Sequence, residues 1–246
     1  MYSKHRIDIN CDVGEGVGNE KLLMPYISSC NIACGAHAGS ITVMDEVIGL
    51  AVEYNVKIGA HPSFPDRENF GRMEMDIAPE TLQKSIEEQI LLLKERADFQ
   101  GVSLHHIKPH GALYNLIAKD KETAQLMIRA VQNTCPNLFL YVPYNSIIAE
   151  EALKSNLSIQ YEAFADRNYN EDLTLVSRSQ ENALITNKEA VFSHVKRMIV
   201  AQQVQTVGGV KYITADTICV HGDTENAIEL VAYIHAKLEE NEITIA

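Results

Sequence analysis

Ionisable side chains recur just after short apolar runs in this 246-residue sequence, which is the placement that acid–base or metal chemistry requires. Asp12 and Glu15 follow the first run, Gly35 and His37 the second, and His61 with the loop 62–72 the third. Lys108 and His110 close the fourth, Asp166 and Arg167 the sixth, and His221 and Asp223 the last; the fifth offers only Tyr144 and Asn145. A single histidine after a strand is an ordinary structural residue. Several strand ends carrying such groups read instead as one convergent site, with His61, His110 and His221 as its acid–base histidines. His5, His105, His194 and His235 fall in the amino-terminal segment, within a strand or on helix surfaces, and are expected to take no catalytic part.

Asp12, His61 and His110 could also form an open three-ligand site for a divalent metal, with water in the remaining position. No H-E-x-x-H signature supports this, and metal-free acid–base work fits the same histidines. Lys108 stands near the end of an apolar run before Pro-His-Gly, so its ammonium must reach the mouth of the fold or find an acidic partner. There it could hold a carboxylate or steady a developing oxyanion. Cys34, near His37, could serve as a nucleophile; the favoured reading is a small apolar residue at the end of a buried strand.

The elements that must position these groups read as strands at Arg6–Cys11, Cys30–Cys34, Val56–Ala60, Leu104–Lys108, Leu138–Val142, Ile159–Phe164 and Thr217–Val220. Helical periodicity occupies Val43–Tyr54, Pro79–Phe99, Lys121–Thr134 and Lys188–Val204, and Glu225–Leu238 closes the chain. Pro79 suits a helix start, and Leu82, Ile86, Ile90 and Leu93 share one face. Ile228, Val231 and Ala232 are expected on the inner face of the last helix. Strand and helix in alternation mean a parallel sheet covered by helices. An open doubly wound sheet is the rival, but neither a G-x-G-x-x-G nor a phosphate loop is present, and Gly208-Gly209-Val210-Lys211 is too short to be one. The expected architecture is a TIM-like, seven-stranded parallel (β/α) barrel, one catalytic domain over residues 1–246, with its site at the carboxyl ends of the strands.

A formal charge of −12 disfavours nucleic acid and anionic membranes as principal partners, while leaving room for a small anionic substrate in a local basic pocket. No apolar run approaches the ~20 residues of a bilayer span. Five cysteines without C-x-x-C spacing, and no leader-like amino-terminal segment, lead to the expectation of a reducing, cytoplasmic setting.

Ordered motifs add a resemblance. Asp8-Ile-Asn-Cys-Asp-Val-Gly-Glu15, Asn31-Ile-Ala-Cys-Gly-Ala-His-Ala-Gly39 and the long segment Ile58-Gly-Ala-His-Pro-Ser-Phe-Pro-Asp-Arg-Glu-Asn-Phe-Gly-Arg72 resemble the LamB/YcsF family. So do His106-Ile-Lys-Pro-His-Gly-Ala-Leu-Tyr-Asn115, Glu162-Ala-Phe-Ala-Asp-Arg-Asn-Tyr169, Val176-Ser-Arg-Ser179 and Cys219-Val-His-Gly-Asp223. Ala36 departs from the bulkier aromatic residue often found there in the family, which reshapes a pocket wall and leaves the ionisable groups untouched.

This resemblance implies a barrel of the glycoside hydrolase/deacetylase-like superfamily. It also implies cleavage of 5-oxo-L-proline to L-glutamate coupled to ATP hydrolysis, in company with 5-oxoprolinase subunits B and C. With no nucleotide motif in this chain, ATP is expected mainly on a partner. Within the implied reaction, Asp12 or His61 would activate water and His110 or His221 would protonate the departing nitrogen. Lys108 with Arg167 or Arg72 would hold a carboxylate or phosphate. His37, Asp166 and Asp223 join Arg72 and Arg167 as substrate-binding candidates. Two alternatives stand beside this: a metal-dependent deacetylase or amidohydrolase without ATP, and a non-catalytic substrate-binding subunit.

Overall fold

The computed structural model describes residues 5–178, 180–222 and 226–246. Its strands in chain order are β1 (His5–Val13), β2 (Ser29–Ala33), β3 (Lys57–His61), β4 (His106–Ile107), β5 (Phe139–Pro143), β6 (Ile159–Phe164), β7 (Gln203–Thr206), β8 (Gly209–Tyr212), β9 (Thr217–Val220) and β10 (Ile243–Ile245). The helices are α1 (Glu20–Leu23), α2 (Ile41–Glu53), α3 (Pro79–Phe99), α4 (Gly111–Lys119), α5 (Lys121–Thr134), α6 (Ile147–Lys154), α7 (Lys188–Lys196) and α8 (Ala227–Glu240). Strands β1 to β6 and then β9 pair in parallel, and β9 pairs back onto β1. The result is a closed seven-stranded parallel barrel ringed by helices, as expected. Strand β10 adds to the start of β1 outside the ring, while β7 and β8 form a separate antiparallel hairpin.

Side-chain alternation sorts each strand into an outer and an inner face. On β1 the outward residues Ile7, Ile9, Cys11 and Val13 are buried in the hydrophobic core. That core continues through Met44, Val47 and Ile48 of α2 and Leu82, Ile86, Ile90 and Leu93 of α3. Several helices are fixed by side-chain caps: Ser40, Asp120, Ser146 and Asn187 each accept from a backbone N–H of the first turn.

The inner face of the barrel is polar, and its residues satisfy one another in tiers. At the amino-terminal end Asp8 accepts from Ser28 (2.9 Å), Ser29 (2.5 Å), Thr217 (2.6 Å) and Lys57 (3.2 Å). Above it, Asn10 donates to Glu162 (2.9 Å) and Thr217 (2.7 Å), and Asn31 donates to Asn10 (2.8 Å) and Asp12 (2.7 Å). His106 shares a 2.6 Å hydrogen bond with the Asn31 amide oxygen and stacks on Tyr141 at 3.9 Å. Buried polar groups cost little only when paired, and this ladder pairs them across the barrel.

Three expectations need correction. The helix expected over Lys188–Val204 ends early, through a π-helical turn at Arg197–Ala201 and a left-handed Gln202 (φ 51°). Val204 and Thr206 then alternate with exposed Gln203 and Gln205 as a strand, so the apolar spacing of one helix had run on into a period of two. On α8 the buried face is Ala227, Leu230, Val231, Ile234 and Leu238, with Ile228 and Ala232 only half-buried. Nor is His194 on a helix surface: it is half-buried beside the Tyr169 ring, and burial pushes its imidazole down to about 4.

Gly59 shows how tight the inner tier is. A Cβ there would lie 2.1 Å from the His106 Nε2, so the imidazole fills the space that the glycine leaves. Gly59→Ala is expected to lower unfolding stability by about 1–3 kcal/mol. Combining it with His106→Ala should remove most of that extra cost in a double-mutant cycle measured by urea unfolding. Strictly additive effects would show that the clash is absorbed elsewhere.

Candidate active site

The carboxyl ends of the strands gather most of the anticipated residues into two adjoining groups. The first centres on Lys108, which follows β4 and is buried. Its ammonium donates to Asp12 (2.9 Å) and Asn10 (3.3 Å), lies 2.9 Å from Glu162 and 3.1 Å from the Cys219 sulfur, and stands 5.5 Å above the Phe164 ring. Burial alone would discharge this amine, yet the Asp12 and Glu162 carboxylates hold it well above the ordinary lysine value. Burial likewise opposes ionisation of Asp12, but His61 and Lys108 pull it well below the usual carboxylate range. Lys108 and Asp12 are therefore a charged pair at neutral pH. Cys219 is pushed far up by burial and stays a thiol.

At the edge of this group stands a hydrogen-bonded His–Asp pair. His221, which follows β9, meets both Asp166 oxygens through Nδ1 (3.0 and 3.1 Å) and stacks on Phe164. A ring nitrogen of His221 lies within 4.8 Å of the Asp12 carboxylate and the Cys219 sulfur. A carboxylate can only accept, so Nδ1 donates to Asp166, the pairing that orients an imidazole used in acid–base work.

The second group is a set of imidazoles around Glu15. His61 donates from Nδ1 to the Lys108 carbonyl (2.6 Å), because a carbonyl can only accept, so in the neutral ring Nε2 carries the lone pair. His110 donates from Nε2 to the Phe70 carbonyl (3.0 Å), which leaves Nδ1 bare. The Ser63 hydroxyl already donates to the Phe64 carbonyl, so it accepts from His37 Nδ1 (2.9 Å) and leaves His37 Nε2 facing Glu15 at 3.2 Å. Glu15 also lies 3.3 Å from His110 Nδ1 and 3.7 Å from His61 Nε2. Burial lowers the affinity of His37 and His110 for protons, most strongly at His110.

The loop 62–72 roofs this cluster. Phe70 sits edge-on to His37 and His110, and the Gly71 carbonyl receives the Ala112 N–H of α4 (3.0 Å). Gly111 begins α4 with φ +57°, and a Cβ there would meet the Gly71 oxygen at 2.6 Å, so glycine is needed for the two backbones to approach.

Other expected residues have different surroundings. Arg167 is buried and donates to the loop carbonyls of Val176 (2.6 Å) and Ala183 (3.4 Å), so its guanidinium organises the segment after β6. Arg72 is exposed, with its guanidinium over the Phe70 ring at 4.9 Å. Asp223 lies outside the described residues. Cys34 is pushed up to about 12 by burial, with its sulfur 3.2 Å from the Ile32 carbonyl, which fits a core residue. The grouped nitrogen and oxygen donors also differ from the set expected for a metal. They are Glu15, His37, His61 and His110, with all ligand atoms within 4.8 Å of one another, because the nearer oxygen of Asp12 is already engaged by Lys108 and Asn31.

Sequence reading missed Glu162, Asn10, Asn31 and His106. The signal was there: Asp8, Asn10 and Asp12 alternate along β1, as do His106 and Lys108 at β4, which marks a polar inner face within apolar runs.

A closed parallel barrel with paired charges and imidazoles at its carboxyl-end mouth defines a (β/α)-barrel protein with a polar site where such barrels place their active sites. A carbohydrate esterase from Streptomyces lividans, at 9% identity and a TM-score of 0.50 over 99% of this chain and 93% of that one, shares the fold alone. The LamB/YcsF family pattern matches residues 7–246, and the chain belongs to that family. It is 42% identical over 246 residues to a Bacillus cereus protein named as the A subunit of 5-oxoprolinase, covering 97% of both chains. The crystal structure of a lactam utilization protein from Thermus thermophilus superposes with a TM-score of 0.92 at 36% identity, covering 98% of each chain. Among the described residues, no helix is long and apolar enough to cross a membrane.

Removing one partner from a buried charge cluster leaves the others uncompensated. Lys108→Met is expected to cost about 3–5 kcal/mol of unfolding free energy, whereas adding Asp12→Asn and Glu162→Gln to it should recover part of that loss. Chemical denaturation of the variants checks both; a near-neutral Lys108→Met would show that the carboxylates do not depend on the ammonium.

Proposed function

We propose that this chain is the ring-opening subunit of an ATP-dependent 5-oxoprolinase, converting 5-oxo-L-proline to L-glutamate together with partner subunits B and C. The observation that carries this reading is the 42% identity to the 5-oxoprolinase chain of Bacillus cereus along nearly the whole of both proteins. The mouth has the chemistry such a reaction needs. A five-membered lactam is a stable amide, and phosphorylation of its oxygen by ATP held mainly on a partner would make the ring carbon electrophilic. Water then adds to that carbon, and the ring nitrogen must leave with a proton.

Asp12, kept ionised by Lys108, accepts a hydrogen bond from the attacking water and orients it. His221, aligned by Asp166, delivers the proton to the departing nitrogen. Lys108 balances negative charge that develops beside Asp12. Arg72, exposed next to the histidine roof, is placed to hold the substrate carboxylate or the phosphate. The acyl phosphate left by ring opening is then hydrolysed to glutamate and inorganic phosphate. Arg167 and His37 serve by positioning the loop and Glu15 respectively.

The test is glutamate formation from 5-oxoproline by the complete complex with ATP present or withheld. Glutamate should appear only with ATP. In the same assay His221→Asn should lower kcat by about 10²–10⁴ with little change in KM, and Asp166→Asn should act in the same direction. Unimpaired turnover in both variants would make the chain a substrate-binding subunit, and ATP-independent amide hydrolysis would favour a deacetylase-like amidohydrolase.

A further inference from the structure

The Glu15 cluster has an electrostatic problem that the ring-opening roles leave unsolved. With their outer protons committed, the neutral rings of His61 and His110 turn Nε2 and Nδ1 toward each other at 3.0 Å as two lone pairs. The Glu15 carboxylate faces the same point and can only accept. These lone pairs converge in a place where His61 is fully buried and His110 nearly so.

We propose that Glu15, His37, His61 and His110 bind one divalent transition ion of the zinc class. A tetrahedral ion at about 2.0–2.1 Å from its ligands sets them about 3.3–3.4 Å apart. The separations here bracket that edge: 3.0 Å for His61 to His110, 3.2 Å for His37 to Glu15, 3.3 Å for His110 to Glu15 and 3.7 Å for His61 to Glu15.

Each histidine also has the outer hydrogen bond that orients a metal-binding imidazole, to the Lys108 carbonyl, the Phe70 carbonyl and the Ser63 hydroxyl. Three imidazole nitrogens and one carboxylate suit a borderline-soft ion and discriminate against magnesium and calcium, which take oxygen. His37 stacks parallel to His110 at 4.0 Å, so its nitrogen converges least and closes the fourth position. Glu15, His61 and His110 form the core of the site. A bound ion would add Lewis acidity next to Asp12, whose carboxylate lies 3.5 Å from His61 Nε2. The site does not depend on the identity of the substrate, so it stands or falls separately from the lactam reading.

The experiment uses the full untagged chain, stripped with a chelator, dialysed against Zn²⁺ or Co²⁺ and desalted. Metal content by mass spectrometry and the visible ligand-field absorption of the Co²⁺ form are read together, with no activity assay involved. One ion per chain and an intense tetrahedral-type Co²⁺ spectrum are expected. His61→Ala and His110→Ala should each weaken binding by at least about tenfold, and His37→Ala should weaken it less. His235→Ala, outside the cluster, should leave binding intact. Circular dichroism confirms folding of each variant, and His110→Gln serves as a milder replacement where alanine does not fold. Trace metal in the wild type, as a proton shared between His61 and His110 would give, overturns the proposal. Equal uptake by folded wild type and cluster variants overturns it as well.

Discussion

Lys108 places a full positive charge inside a closed barrel, and much of the mouth is arranged to make that charge tolerable. An ammonium buried beyond the reach of water survives only with carboxylates and dipoles around it. Asp12 and Glu162 supply the charge, while Asn10 and the Cys219 sulfur complete the shell. Most of these partners are held from below in turn, Asn10 and Asp12 by Asn31 and Glu162 by Asn10. The polar ladder down the barrel axis is thus the support of one cation. It also explains why the inner faces of β1, β2 and β4 break their apolar runs with Asp, Asn, Ser and His.

The same residue joins the two halves of the site. Its ammonium fixes the Asp12 carboxylate, and its main-chain carbonyl takes the Nδ1 proton of His61. One half therefore holds paired charges with the Asp166–His221 dyad at its edge, suited to moving protons. The other half holds lone pairs under the roof of loop 62–72, suited to holding a cation. On the proposed reading, a lactam carbonyl approaching Asp12 would meet both halves at once.

The seven strands and the barrel were legible because apolar runs and helical periodicity alternate cleanly, and strand ends could be searched for ionisable groups. His61, Lys108, His110 and His221 were found that way. Other features were not legible for physical reasons. Glu162 and His106 lie within strands, where a polar inner face is visible only once the barrel is known to close. Arg167 looked like a substrate contact from its place after β6, but its long side chain turns back to loop carbonyls, a choice that spacing does not encode. The exchange of Asp12 for Glu15 and His37 in the donor cluster has the same origin. It depends on which carboxylate the Lys108 ammonium claims, and that is settled by packing across strands far apart in sequence.

The central claim is that the Lys108 carbonyl holds His61 with its proton outward and its lone pair toward Asp12, Glu15 and His110. Nitrogen-15 NMR of the histidine rings in the metal-free protein, in mildly alkaline solution, reads this directly through two-bond couplings to the ring carbons' protons. An Nδ1-protonated tautomer is expected for His61 and an Nε2-protonated tautomer for His110. An Nε2-protonated His61 would contradict it, because the imidazole would then turn a proton, and not a lone pair, toward the site.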